Sequence, residues 1–537
     1  MGKKWLAVFV LGLLAVGSAH GQKLDDPGFL AAVGELREAS YSDKADIAQR
    51  LIQSGHPRVR PVLTALLEDR FAFRNDDNRA VILKSAEGDP VVLIDPLSLK
   101  ESGSAPADSV SKVGTNNTLR RRLRTELARF SLSSPDPATR AQAVREISQS
   151  LDEATLALLR DRNAVEADSG VKKEIATGLA LGALDSEDAA ARLNAVHGLT
   201  GSLRQDVRNR LARVIEEEQD PKVKAAAKAA VASIDGSRGF YSGIETLFFG
   251  LSLGSVLVLI AIGLAITFGV VGVINMAHGE LMMIGAYTTY VVQTAMPNHI
   301  GISIAVAIPA AFLVSGLIGV LMERSIVRFL YGRPLETLLA TFGVSLILQQ
   351  AVRSIFSALN RSVVTPDWLS GSLRINDALT ITNNRLYIVI FMFIVFSLVV
   401  MALKRTRIGL NIRAVSQNRA MAKAMGIRTE WVDAVTFGLG SGIAGVAGVA
   451  LSQLTNVGPN LGQSYIIDSF VVVVFGGVGN LWGSLIGGLS MGIANKLLEP
   501  YAGAVLSKIL LLVALIFFIQ TRPRGLFPQT GRAAEDK

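Results

Sequence analysis

The sequence predicts an all-α membrane protein: a secretory signal, then an extracytoplasmic domain of repeated helices, then a polytopic membrane domain of about eight to nine spans with one glycine-broken segment. Three observations predict it. Long uncharged apolar runs crowd residues 244–520. Residues 22–238 carry charge, and Ala, Leu and Val at helical spacing. A short apolar run follows Lys3 and Lys4 at the N-terminus. The chain has 537 residues, half of them apolar, a mean hydropathy of +0.39 and a net charge of +9. At about 100–200 residues per domain, one polar domain and one membrane domain account for the length. The division places a signal at 1–21, the outer domain at 22–238, the membrane domain at 239–528 and a cytoplasmic tail at 529–537.

The first element is the run Trp5–Val16, about a dozen residues long. It is too short to span a bilayer comfortably, and small residues follow at Gly17-Ser-Ala19. Basic flank, short apolar run and small residues are the pattern of a secretory signal. An uncleaved anchor is the alternative, and either way the segment after it starts outside the cytoplasmic membrane.

The outer domain repeats one helix start. Asp136-Pro-Ala-Thr-Arg140, Asp168-Ser-Gly-Val-Lys172, Asp188-Ala-Ala-Ala-Arg192 and Asp220-Pro-Lys-Val-Lys224 each open an Ala/Val/Ile/Leu-rich stretch. A carboxylate at the N-cap accepts orphan backbone N–H groups, and Pro suits the first helical position. The pattern resembles HEAT-like paired helices with irregular spacing. The stretch Phe71–Ser111 interrupts it and predicts a small hairpin or loop insertion. The repeated Asp and Arg residues read as caps and a solvated face, with partner docking as the functional alternative. His197, alone on an Ala-rich helix, reads as a packing residue.

In the membrane domain, apolar runs at 244–267, 281–296, 301–322, 336–357, 385–403, 431–454, 465–496 and 503–520 approach the roughly 20 residues a bilayer needs. Seven bases and no acid lie between Lys404 and Arg428, so that loop belongs to the cytoplasmic side. The loop with Arg324, Arg328 and Arg333 agrees. The tail bases Arg522 and Arg524 agree only if 465–496 crosses twice or re-enters. Gly438, Ser441, Gly442, Gly445 and Gly448 give small-residue spacing and read as a generic packing seam.

Two breaks stand out. Phe268-Gly-Val-Val-Gly272 and Phe475-Gly-Gly-Val-Gly479 match, which supplies the helix-break residues Gly269, Gly272, Gly476, Gly477 and Gly479. Paired interrupted segments point to a transporter site near a repeat interface. Polar groups follow each break: Asn275, His278 and Glu280, then Asn480 and Trp482. These are the candidate translocation-pathway residues, since polar groups in a span face a cavity or a partner. The alternative makes Asn275–Glu280 a turn at the cytoplasmic edge, with His278 and Glu280 capping helix ends. A metal site would need more ligands.

Three stretches carry a resemblance: Gly263–Tyr287, "GLAITFGVVGVINMAHGELMMIGAY"; Arg405–Gly426, "RTRIGLNIRAVSQNRAMAKAMG"; and Phe475–Gly488, "FGGVGNLWGSLIGG". Over roughly residues 240–528 the chain resembles the branched-chain amino acid permease family of ATP-binding-cassette importers. The resemblance implies that the basic loop, through Gly409, Arg413 and Ala414, leads into a coupling helix at Asn418–Gly426, including Asn418, Ala422 and Gly426, that docks in a groove of the ATPase. A basic loop that only fixes topology is the plainer reading, but topology does not require Ala420, Ala422, Ala424 and Gly426.

The chain's single Gly-Lys pair is Gly2-Lys3, so no phosphate-binding loop of the Walker type is present. ATP would be bound by partner ATP-binding subunits, and the chain itself needs no cofactor. The resemblance further implies a second permease subunit and a periplasmic solute-binding protein. The absence of Cys removes disulfide and thiolate-metal chemistry. No basic-aromatic interleaving supports nucleic-acid binding, and no nucleophile–base set marks an enzyme. Glu280 and Asp468 show no basic partner in the sequence, which favours a neutral solute. The added outer domain and the tail "RPRGLFPQTGRAAE" look like the urea-importer branch of the family. The expected solute is therefore urea, with a branched-chain amino acid or short amide as the alternative. A different class is an extracytoplasmic interaction or sensor protein with a membrane anchor.

Overall fold

The computed structural model describes residues 25–85, 89–149 and 151–527. The expected signal at 1–21 and the tail at 529–537 lie outside the described residues. The chain divides into two compact units, Met1–Ile234 and Asp235–Lys537.

The first unit begins with helices α1 (Asp26–Gly34), α2 (Tyr41–Gln53) and α3 (Val59–Leu67). Five short strands follow: β1 (Phe71–Arg74), β2 (Ala80–Leu83), β3 (Val91–Ile94), β4 (Glu101–Ala105) and β5 (Val110–Lys112). They form one antiparallel sheet in the order β4-β3-β2-β1-β5. The all-α expectation is thus corrected, and the predicted hairpin or loop is a full sheet. The cause is local. Phe-Ala-Phe, Val-Ile-Leu and Val-Val-Leu-Ile are β-branched and aromatic runs too short for helices. Alternation with period two gives β1 and β2 an apolar residue on each face, while β4 and β5 are largely exposed. Phe71, Phe73 and Ile82 pack with the helices, while Ala72, Val81 and Leu83 form a second cluster with Val91, Leu93 and Val110.

Helices α4 (Asn117–Ser131), α5 (Pro137–Ile147), α6 (Glu153–Val165), α7 (Ser169–Ala183), α8 (Ala189–Leu199) and α9 (Gln205–Glu217) complete the unit with the start of α10 (Pro221–Val271). Asp136, Asp168 and Asp188 are N-caps, each accepting backbone N–H groups of the first turn. Asp220 accepts from Lys222 N at 2.8 Å. The base of two of these motifs has a matching role. Arg140 donates to Glu166 at 2.9 and 2.7 Å, and Arg192 donates to Glu218 at 2.7 and 3.0 Å, each pair 26 residues apart. Both arginines also donate to the two carbonyls before their Asp cap. These residues are therefore inter-helix ties as well as caps. The Arg192 guanidinium holds the Glu218 carboxyl down at about 2, and Arg140 holds Glu166 far below the usual carboxylate range.

The second unit holds the remainder of α10 and helices α11 (His278–Ala295), α12 (Ile300–Ser325), α13 (Pro334–Phe356), α14 (Asn383–Arg405), α15 (Arg407–Gln417), α16 (Arg419–Ala424), α17 (Thr429–Ser452), α18 (Leu461–Gly476) and α19 (Leu481–Thr521). A small hairpin, β6 (Ser372–Arg374) with β7 (Thr380–Thr382), precedes α14. Among the described residues, six helices are long and apolar enough to cross a membrane, against the eight to nine spans expected. The difference has identifiable sources. Leu461–Gly476 is apolar but has 16 residues, and α11 is long enough at 18 residues but carries His278, Glu280 and Gln293 among its apolar residues. The 41-residue α19 would be about 60 Å long if straight, twice a hydrocarbon core of about 30 Å. It is instead two legs, because Gly503 leaves helical geometry at φ 79° just after Pro500.

Glycines set the helix contacts. Gly250 meets the Ile493 backbone, Gly254 meets Leu489, and Gly285 meets Gly445. A Cβ on any of them would enter neighbouring backbone. Gly438, Gly442 and Ser441 face Gly316, Phe312 and Gly319 of α12, so the small-residue run of α17 is a packing seam. Without a hydrophobic drive between helices in lipid, such backbone approach supplies the dispersion contact that holds a bundle.

Candidate functional site

The turn between α10 and α11 is Gly272–Ala277. Asn275 and His278 are fully buried and Glu280 is 1% exposed. Asn275 Oδ1 accepts from Ala277 N at 3.0 Å, closing a local turn. His278 opens α11, and its Nε2–H donates to the Ile260 carbonyl of α10 at 3.1 Å. Glu280 Oε1 accepts from Ser345 Oγ at 3.1 Å and from Gln349 Nε2 at 2.8 Å. Thr341 Oγ1 accepts from Met276 N at 3.1 Å. Thr337, Thr341, Ser345 and Gln349 repeat every fourth residue and form a buried polar stripe on α13. The sequence reading missed this stripe, although its spacing is that of one helix face. Burying a carboxyl group demands hydrogen-bond partners; α13 supplies them to Oε1, while the buried Oε2 has none.

The second break lies elsewhere. Asn480 caps the start of α19, its Oδ1 accepting from Trp482 N at 3.0 Å and Gly483 N at 3.2 Å. The Trp482 ring is half exposed and meets Phe396 edge-on at 5.1 Å. Gly476 packs on Gly483, which closes α18 and the first leg of α19 into a hairpin. Gly477 has φ 103°, and a Cβ there would lie 2.5 Å from the Phe527 carbonyl. Leu526 N and Phe527 N donate to Phe475 O at 2.9 Å and Gly476 O at 3.1 Å. The chain after Thr521 thus satisfies carbonyls that the end of α18 leaves open.

The two breaks touch. A Cβ on Gly269 would lie 2.5 Å from the Gly479 Cα. Beside this contact is a cavity of about 310 Å³ lined by Gly269, Gly479, Asn480, Trp482, Lys404 and Arg413. Of the candidate pathway residues, the structure brings Asn480 and Trp482 together here. Asn275, His278 and Glu280 do not reach this cavity; they sit in the packed interior. Gly272, at φ 71°, ends α10.

The basic loop folds as α15 and α16. Thr406 Oγ1 caps α15 at Gly409 N, and Gly409 lies against the Leu403 backbone. Arg413 donates to Leu403 O at 2.7 Å. The Ala414 carbonyl accepts from Asn418 N, and Asn418 Oδ1 caps α16 at Met421 N, 2.8 Å. Ala422 is buried against Ile412, Val415 and Val432. Gly426 ends the segment at φ 85°. Met421 of α16 and Met425, the residue after it, are 61% and 77% exposed. The root of α16 is anchored: Arg419 pairs with the fully buried Asp433 of α17 and lies over the Tyr331 ring, whose hydroxyl donates to Glu323 at 2.8 Å. Sequence reasoning missed Asp433 and Tyr331, since Arg419 meets them from far along the chain, Asp433 on α17 and Tyr331 in the turn before α13.

One inference is corrected outright. Asp468 does have a basic partner: Lys508 Nζ lies 2.8 Å from its carboxylate. The argument for a neutral solute loses that support. Among the described residues no group of three or more His, Cys, Asp or Glu could hold a metal ion.

A profile of the family described as the branched-chain amino acid transport system permease component matches residues 246–519. The chain is similar to the high-affinity branched-chain amino acid transport system permease protein LivH of Salmonella typhimurium, 32% identical over 56% of this chain and 99% of LivH. It is similar to the corresponding protein BraD of Pseudomonas aeruginosa, 29% identical over 55% of this chain and 98% of BraD. More distantly, it is 26% identical to the ribose import permease protein RbsC of Escherichia coli, over 47% of this chain and 77% of RbsC. No solved structure matches. The family match begins at residue 246, after the first unit.

Proposed function

The chain belongs to the branched-chain amino acid transport permease family, and from that premise we propose that it is the membrane-spanning subunit of an ATP-driven importer. One observation carries the proposal. A short helix, α16, is held at its root by Arg419 on the buried Asp433, and Met421 on it and Met425 just after it are exposed. Met is flexible and polarisable and suits a docking surface. A partner ATPase pressing on α16 would load α17 directly through that ion pair. ATP binding and hydrolysis belong to the partner subunits; this chain translocates. A second permease subunit and a periplasmic binding protein complete the assembly.

We read nine crossings. They are the second part of α10, then α11, α12, α13, α14, α17, α18 and the two legs of α19. The alternating directions place the loop 404–428, the loop with Arg328 and Arg333, and the bases Arg522 and Arg524 on the cytoplasmic side, as positive loops require. The first unit then lies outside, as a paired-helix platform whose caps and ion pairs keep it rigid. The solute reading follows the relatives: a branched-chain amino acid. Urea is the second reading, favoured by the outer unit and the Arg522–Glu535 tail, which the family resemblance associates with the urea branch.

The test is copurification and uptake in cells lacking the native gene. Tagged chain should retain its ATPase subunit, and the double variant Met421→Asp/Met425→Asp should lose it while keeping normal membrane yield. Retention of the ATPase together with full uptake by that variant overturns the docking role.

A further inference from the structure

Charge inside a span is costly and faces a water-filled cavity or a partner. Asp468 of α18 and Lys508 of the second leg of α19 are such charges. Asp468 is seven residues into α18, about 10 Å along it at 1.5 Å per residue. The pair lies in a cavity of about 220 Å³. Its polar lining continues with Gln463, Ser464 and the 8%-exposed Asn495. Its apolar lining includes Leu253, Leu257, Ile467 and Met491. The Lys508 ammonium also lies 5.8 Å from the Tyr465 ring centroid.

We propose that this groove is a binding subsite for a zwitterionic amino acid with a branched aliphatic side chain. The inference rests on the amino-acid reading of the solute. The chemistry is complementary. Asp468 can accept the solute ammonium and Lys508 can receive its carboxylate, so the ion pair is exchanged and no charge is left unpaired. Asn495 and Gln463 offer amide groups to the same head. The leucine and isoleucine wall takes the side chain by area burial. A charged pair facing lipid would have no such compensation. A neutral solute such as urea gives the pair no reason to open.

The absence of Cys in the chain makes the test direct. Ile467→Cys places one thiol in this subunit, and the whole transporter, with its partner subunits, is reconstituted in proteoliposomes. Labelling of this chain by a water-soluble maleimide is followed with leucine, with 4-methylpentanoate, which lacks the ammonium, and with urea. Leucine should slow labelling, and the other two should not. Asp468→Asn should weaken leucine protection about ten-fold or more, the range set by losing a hydrogen bond to a charged group. If Asp468→Asn does not assemble, the leucine versus 4-methylpentanoate difference in the Ile467→Cys complex still decides. Labelling that leucine leaves unchanged, in a complex that imports leucine, overturns the site and leaves the function standing. A thiol that water-soluble maleimide cannot reach also overturns it. Import of urea without import of leucine overturns the solute reading, and this site's ligand with it.

Discussion

The two glycine breaks share a sequence pattern and differ in how they are held. At the first, Gly272 turns the chain and a buried set of Asn275, His278 and Glu280 locks the turn to α10 and α13. At the second, Gly477 and Gly479 turn the chain, and the cover is backbone from Leu526 and Phe527. The first break is sealed by side chains from within the fold. The second is sealed by a separable segment, and its polar residues stay on a cavity rim. Glycine therefore sets only the possibility of a turn. The neighbours decide whether the polar groups beside it become structure or remain available.

That comparison can be broken most severely at the contact shared by both breaks. Gly269→Val puts a side chain into the Gly479 backbone and should cost about 3 kcal/mol, the upper range for overpacking. Detergent-solubilised chain should melt well below the parent, and uptake should be lost. An unchanged melting temperature would mean that the two breaks do not bear on one another. Glu280→Ala acts on the first break alone. It strips Ser345 and Gln349 of their acceptor, with an expected cost of about 2 kcal/mol. Glu280→Gln, which keeps an acceptor oxygen, should recover part of that loss in the same melting assay. Leu526→Pro acts on the second break alone. It removes the N–H that reaches Phe475 O, and about 1 kcal/mol should go with it. If it costs more than Glu280→Ala, the ranking of the two seals is reversed.

The last prediction concerns the first unit, which contains neither break, and is read in acid. The Glu218 carboxyl titrates at about 2 when folded, against about 4.3 in an unfolded chain. The folded value is the lower one. The stabilisation is therefore full above about pH 4.3 and is lost as pH falls toward 2. Glu218→Gln should flatten the fall of melting temperature through that window. An equally steep fall in the variant would show that the Arg192 pair contributes nothing.

Much of this was legible from residues. The Asp caps and the basic loop each depend on a few neighbouring positions; of the five glycines expected to break helices, Gly272, Gly477 and Gly479 turn the chain at positive φ, whereas Gly269 stays helical inside α10 and Gly476 is the last residue of α18. The α13 stripe was legible in principle, since Thr341, Ser345 and Gln349 are four apart, but neutral polar residues in an apolar run carry little individual signal. The Asp468–Lys508 pair was not legible. Its members are 40 residues apart and meet only because Gly503 folds α19 back. The sheet of the first unit was under-read for a similar reason: strands of three to five residues gain their stability from partners that hydrogen-bond across the sheet. The span number differs because α18 is short, α11 carries polar residues, and α19 joins two legs at Gly503.

The most direct measurement is transport by the purified complex in proteoliposomes, with labelled leucine and labelled urea, with and without ATP. The account predicts ATP-dependent leucine uptake that vanishes in Gly426→Asp, because aspartate at φ 85° disrupts the end of α16. Uptake of neither solute by an assembled, ATP-hydrolysing complex would contradict it.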